Sequence, residues 1–218
     1  MMKSDEEKYP TDYIHRLISE GEHVHQDFKF EISDARKIAR SISAFANTEG
    51  GRLLVGVKDN GKIAGVRSEE EIYMIEAAAT LYCQPPVQIE SSIYKVEGRD
   101  VLEIRIPESP LKPIYAIDEE HHPWAYVRIK DENILANIIH LNRWKRNNTD
   151  NKVIVTYTDR EKHLLDVLAQ HGSLTLNRCS TLAKIPRKEI SRLLADFIRF
   201  NLIEEEFIDH TFYYKLKE

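Results

Sequence analysis

Only two cysteines, Cys83 and Cys179, occur in 218 residues, and they stand far apart. That excludes a disulfide framework and a zinc ribbon, and a reducing cytoplasm is the natural setting. No stretch of 18 apolar residues is present, so no membrane partner is expected. The opening MMKSDEEKYP is polar and acidic and has no apolar h-region, unlike a secretory signal. A basic excess is missing too: 31 Lys and Arg face 36 Asp and Glu, for a net charge of −5. Up to Asp150 the chain carries 20 basic and 26 acidic residues, and beyond it 11 and 10. Strong nonspecific nucleic-acid binders carry a clear basic excess. Any nucleic-acid site here is therefore a local patch, of modest and salt-sensitive affinity. Repeats and low-complexity runs are absent as well. The remainder is ordinary, 42% apolar and 31% charged, enough for one large domain or a medium domain with a smaller one.

Along the chain, TDYIHRLISE places Tyr13, Ile14, Leu17 and Ile18 at helical spacing, and Gly21 stops that helix. HVHQDFKF alternates, with Val24, Phe28 and Phe30 on one face and His23, His25, Asp27 and Lys29 on the other. It reads as a strand with one wet face. Ser33 or Asp34 caps a helix through Ile38, Ile42 and Phe45. RLLVGV is a buried strand, KDNGK a hairpin turn with positive φ at Asn60 and Gly61, and IAGV the return strand. A helix opened by Ser68 follows, then a second hairpin about EGRD, the strand AYVRI, and a helix capped at Asp131.

Five glycines lie between Gly50 and Gly65, which raises the question of a phosphate cradle. Such a cradle needs strand, glycine loop, then helix, so that amides and dipole at the helix N-terminus meet the phosphates. Here a helix ends at Asn47, the glycine pair follows, and a strand comes next. The order is reversed and no Walker sequence is present, so an ATPase is not expected.

The run DFK, then ISAFANTEGGRLLVGVKDNGKIAGV, KPIY and AYVRIKDEN resembles the schlafen-type AlbA_2 domain, over about residues 8–146. The resemblance implies an α/β fold implicated in nucleic-acid binding. Eukaryotic relatives pair two such lobes, and some cleave transfer RNA with three acids and a divalent metal. Carried onto this chain, the acids are Glu22, Asp27 and Asp59, with Mg or Mn as the metal if the protein is a nuclease; binding alone requires no cofactor. The family usually has glutamate where Asp27 stands, and the eukaryotic zinc site has no counterpart. The two-lobed relatives also imply that this single lobe homodimerises.

The residues themselves leave the chemistry open. Asp27 and Lys29 put an acid and a base side by side on one strand, as phosphodiester hydrolysis requires near its metal. Glu22, five residues before Asp27, converges on it only if the chain bends between Gly21 and Val24. Asp59 is equally a plain turn residue. His23, His25 and Asp27, or the pair His121 and His122, could ligate zinc or manganese, although solvated histidines are commoner. Trp124 and Tyr126 suit base stacking or core packing.

From Thr158 the pattern becomes three helices and a hairpin, which resembles a winged helix-turn-helix. Leu164, Leu165 and Leu168 form the core face of its first helix, and Ile190, Leu193, Leu194 and Phe197 that of its third. The third helix exposes Arg187, Lys188, Ser191 and Arg192, which suit a major groove or backbone. The acids Glu204, Glu205, Glu206 and Asp209 in the wing oppose that use.

The expected fold class is α+β: a mixed-sheet AlbA_2-like domain (8–146), a linker (147–157) and a winged helix domain (158–218). The expected function is nucleic-acid binding, first of all as a DNA-binding transcriptional regulator, through Arg187, Lys188 and Arg192, with Lys29, Lys58 and Arg128 as a second surface. The alternatives are a metal-dependent endoribonuclease and a dimeric scaffold with no nucleic-acid role.

Overall fold

The computed structural model describes residues 10–148 and 158–217. Most of the expected linker, and the acidic opening up to Tyr9, lie outside the described residues. The chain forms two compact units that divide between Leu135 and Ala136.

The first unit holds helices α1 (Pro10–Glu20), α2 (Ala35–Asn47) and α3 (Glu70–Thr80). Its strands are β1 (Gln26–Lys29), β2 (Gly51–Val55), β3 (Cys83–Gln84), β4 (Glu90–Val96), β5 (Arg99–Ile106), β6 (Tyr115–Ile117), β7 (Pro123–Ile129) and β8 (Glu132–Leu135). One sheet runs β1-β2-β5-β4 and the other β3-β6-β7-β8. The first sheet is mixed, because β1 and β2 are parallel across the α2 crossover while β5 is antiparallel to both of its neighbours.

Both faces of this sheet are covered. Ile38, Ile42 and Phe45 of α2 pack with Leu53, Val55, Leu102 and Ile104 on one side. Tyr13, Ile14 and Leu17 of α1 pack with Phe28, Leu54 and Val101 on the other. Three successive β2 residues, Leu53, Leu54 and Val55, are fully buried, each worth about 1.5–3 kcal/mol of transfer free energy. Asp34 caps α2, its Oδ1 accepting from Arg36 N at 2.9 Å.

Double coverage corrects the wet-face reading of β1. Gln26, Asp27 and Phe28 are all buried, because the face opposite Phe28 meets the second sheet. Two further readings change. Residues 132–135 are strand β8, paired in register with β7, and the helix begins only at Ile138, capped by Asn137. Cross-strand pairing outweighs the helical spacing of Ile134 and Ile138 there. At KDNGK the turn runs Lys58 to Gly61, with Gly61 N donating to Lys58 O at 2.7 Å. Only Gly61 has positive φ, so Asp59 and Asn60 form the corner and the glycine follows it. IAGV returns with a single bridge, Val57 to Ile63, in place of a strand.

The second unit contains α4 (Ile138–Asn147), α5 (Asp159–His171), β9 (Leu174–Thr175), α6 (Leu176–Ala183), α7 (Arg187–Arg199), β10 (Ile203–Ile208) and β11 (Thr211–Leu216). Its antiparallel sheet runs β10-β11-β9. Leu164, Leu168, Ile190, Leu194 and Phe197 form the core, with Ile139 of α4 among them. Helix α4, grouped by sequence with the first domain, therefore packs with the second. At the β10–β11 turn Asp209 and His210 both have positive φ, the two-residue geometry that matches strand twist.

Candidate nucleic-acid interface

The glycine corner is a structural joint. Helix α2 ends at Asn47, Gly50 turns with φ +71°, and β2 starts at Gly51. A Cβ on Gly50 would stand 2.8 Å from Ile106 O, so the position requires glycine. Asn47, buried, ties the joint together: its Nδ2 donates to Ile114 O (2.8 Å) and Tyr126 O (3.0 Å), and its Oδ1 accepts from Ile114 N (2.7 Å). Thr48 Oγ1 accepts from Arg128 N at 2.8 Å. The FANTEGG run thus fastens α2 to β6 and β7.

The chain bends after α1, with Gly21 at φ +72° and His23 bridged to Gln26. The bend turns Glu22 back toward β1, where its Oε1 accepts from Phe28 N at 2.9 Å. Burial, and then a hydrogen bond shared with Asp27, hold the Glu22 carboxyl above the usual carboxylate range. Lys29 Nζ stands 2.6 Å from Asp27 Oδ2, although Oδ2 receives no well-directed hydrogen bond, so this contact is charge against charge. Arg128 Nη2 is 3.4 Å from Asp27 Oδ1.

Arg128 was expected at a nucleic-acid surface. Its side chain is 1% exposed, donating to Gln26 O (3.1 Å) and Asn133 Oδ1 (2.9 Å) and lying 4.9 Å from the centre of the Phe45 ring. It is an internal tie between the sheets. Lys58 is exposed, with Nζ 4.9 Å from the centre of the Phe30 ring.

Asp59 is exposed at its turn. Among the described residues, one group of three acid or histidine side chains has its ligand atoms all within 4.8 Å of one another: Asp118, Glu120 and His122 in the β6–β7 turn. Glu22, Asp27 and Asp59 are not gathered in that way. Two of the expected trio meet and the third does not, and Asp27 already faces two cations. As arranged, these carboxylates do not fit a shared Mg or Mn ion. Of the two histidine alternatives, His122 belongs to that group, whereas His23, His25 and Asp27 are not gathered in that way. His25 Nε2 is 3.3 Å from Glu49, His23 Nδ1 accepts from His25 N at 3.2 Å, and burial lowers the His23 pKa. Trp124 is 43% exposed, its Nε1 donating to Asp118 Oδ2 at 2.8 Å, whereas Tyr126 packs against the main core.

In the second unit Arg187, Lys188 and Arg192 are exposed on α7, with Arg187 Nε donating to Asn177 Oδ1 at 3.0 Å. Ser191, expected beside them, is 2% exposed. Helix α4 crosses that part of α7: Asn142 Nδ2 donates to Ser191 Oγ at 3.2 Å, Arg146 pairs with Asp196, and Ala195 is fully buried. The acids of strand β10 are largely occupied. Glu204 and Glu206 reach Lys215 at 3.1 and 2.5 Å. Glu205 is half-buried, 2.9 Å from His140 Nε2. Burial alone would raise the Glu205 pKa, but the hydrogen bond and charge of His140, helped by Arg143 and Asn137, hold it below the ordinary value.

Sequence reasoning missed Asn47 and His140, whose partners lie far along the chain. The signal for Asn47 is its place in the FANTEGG run.

The family described as Schlafen, AlbA_2 matches residues 22–137, more than half of the chain. The chain belongs to the Schlafen AlbA_2 family. The match takes in both sheets of the first unit, the bend at Glu22 and the glycine joint. No functionally curated protein matches. Among solved structures, the DIP2311 protein from Corynebacterium diphtheriae is 18% identical with a TM-score of 0.45, covering 79% of this chain. The chain spans 32% of that protein's length. The N-terminal domain of a RecG-related protein from Nitrosomonas europaea is 23% identical with a TM-score of 0.43, over 58% of this chain and 88% of that one. Among the described residues no helix is long and apolar enough to cross a membrane.

Proposed function

We propose that this Schlafen AlbA_2 protein binds nucleic acid and acts as a DNA-binding regulator, its second unit serving as a winged helix-turn-helix. The observation that carries the reading is the exposure of Arg187, Lys188 and Arg192 at one end of α7, combined with the engagement of the wing acids by Lys215 and His140. The acids that argued against DNA contact are thereby partly neutralised. Because α4 covers Ser191 and Ala195, contact falls to the first turns of α7, which favours phosphate over base edges. Lys29 and Lys58 of the AlbA_2 domain remain a second surface, without Arg128.

The reading is tested by titrating a duplex of mixed sequence at several salt concentrations. Binding should weaken steeply with salt, and Lys188→Ala or Arg192→Ala should lower the salt slope by about 1 each. Salt-independent binding, or none, ends the reading.

The endoribonuclease reading keeps one supporting observation, the meeting of Glu22 and Asp27, and lacks its third carboxylate. Homodimerisation follows from the family's two-lobed members; sedimentation at micromolar concentration distinguishes a dimer from a 25.4 kDa monomer.

A further inference from the structure

Strand β4 ends the first sheet, with β5 on one side and, among the described residues, no strand on the other. Its hairpin with β5 closes on Glu97 and Gly98, both at positive φ, with Val96 opposite Arg99. A two-residue turn of that kind makes the flanking pair a hydrogen-bonded one, and alternate residues then turn their backbone groups away from the partner strand. In β4 those residues are Ser91, Ile93 and Lys95. Asp100, opposite Lys95, fits the alternation: its carbonyl turns away from β4 and accepts from Val66 N at 2.7 Å. The amides and carbonyls of Ser91, Ile93 and Lys95 therefore form an open edge, and β4 carries no proline to interrupt it. An unpaired edge of this kind is a template for a further strand.

Helix α3 leaves the same edge uncovered. Ile93, opposite Leu102 of the main core, is 59% exposed, and Tyr73 of α3 is 66% exposed. Both line a cavity of about 560 Å³, together with Val66, Ile72 and Leu102. A second cavity, of about 730 Å³, continues past Glu76 to Ala79, Val87 and Ile89. An apolar groove thus runs between α3 and β4. Its acids are Glu69, Glu76 and Asp100, and among the described residues none of them forms an ion pair. The arginines that line the two cavities are matched elsewhere: Arg67 reaches Glu31 at 2.6 Å, and Arg105 reaches Glu103 at 3.2 Å. Against the acids β4 itself offers Lys95, which leaves a surplus of negative charge. Such a surplus repels a phosphate backbone and attracts lysine and arginine.

We propose that this groove docks an extended, basic protein segment, which adds to β4 as a further strand. The segment pairs its backbone with Ser91, Ile93 and Lys95. It carries an apolar residue with a lysine or arginine two positions to either side, so that these side chains share one face of the added strand. The apolar residue enters the groove beside Ile93 and Tyr73, and the basic residues meet Glu69, Glu76 and Asp100. The site goes beyond the nucleic-acid reading and uses none of its residues.

The test uses the full chain and a fluorescein-labelled peptide of roughly seven residues, in which threonines alternate with lysine, valine and lysine. Fluorescence polarisation should show saturable binding. The same peptide with glutamate in place of lysine should not bind, and N-methylation of its valine and lysine amides, which removes the donors facing β4, should abolish binding too. Ile93→Lys and Glu76→Lys, both at exposed positions where folding is not at risk, should each weaken binding about tenfold or more. Arg192→Ala should leave it unchanged, so failure of the DNA reading and failure of this one are distinguishable. Absence of saturable binding overturns the proposal. Equal binding of the glutamate or the N-methylated peptide does the same, as does wild-type affinity in Ile93→Lys. A wild-type dimer that Ile93→Lys dissolves in sedimentation assigns the edge to a second copy of the chain and also overturns it.

Discussion

Arg128 and Asp27, 101 positions apart in sequence, meet with Nη2 3.4 Å from Oδ1 in a pair whose side chains are 1% and 5% exposed. The pair joins β7 of one sheet to β1 of the other. Lys29 would still face Asp27 if Arg128 were lost, but removing Asp27 strands the buried Arg128 guanidinium, so Asp27→Ala should destabilise the fold by about 3–5 kcal/mol. Urea unfolding measures this. A loss below 1 kcal/mol, on the order of a surface pair, shows that the pair does not tie the sheets.

Asn47→Ala should also be costly. It takes their side-chain partner from the Tyr126 carbonyl and the Ile114 amide, at about 1–3 kcal/mol per unsatisfied group, while Ile114 O keeps the Ser43 hydroxyl. Asn47→Asp should be worse than neutral too, since it turns a donor into an acceptor facing two carbonyls. If both variants unfold at the wild-type urea midpoint, the joint has been misread.

Stability should depend on pH through two carboxyls with opposite signs. Glu22 is raised in the folded state. The fold then holds its proton more tightly than the unfolded chain, and this contribution declines as pH rises from about 4.3 through the raised value. Glu205 is lowered, so its contribution is present above about pH 4.3 and is lost as pH falls through the lowered value. Glu22→Gln should flatten the decline on the neutral side, and Glu205→Gln the loss on the acid side. Urea midpoints across that range decide between this assignment and an unchanged profile in either variant.

Transfer RNA incubated with Mn²⁺ should remain intact, and Asp27→Asn should make no difference, because Asp59 lies apart from the other two acids and Asp27 faces Lys29 and Arg128. Metal-dependent cutting that disappears in Asp27→Asn would reinstate the trio as an active centre.

Much of the architecture was legible because it is encoded locally. Helices α1, α2, α5, α6 and α7 follow apolar spacing and caps, the EGRD hairpin follows its turn, and the order of helix, glycine pair and strand is the one the sequence implies. Membership in the AlbA_2 family was legible from the same run of residues. The errors share a cause. Asp27 and Arg128 looked exposed because alternation gives the side of a strand but not what covers that side. Residues 132–137 looked helical because spacing cannot register a partner strand. Ser191 looked exposed because nothing in α7 shows that α4 crosses it.

The arrangement of Arg52, Arg105 and Glu103 is the sharpest instance. Arg16, Arg52 and Arg105 are unremarkable charges in the linear chain, and only the pairing of β2 with β5 sets two of them opposite one another over a buried Glu103. Sequence by itself determined the local elements, the turns and the family, because these depend on residues within a few positions of each other. Tertiary structure decided which charges are internal ties and which face an opening, because that depends on strand register and on what covers each face, both of which are long-range.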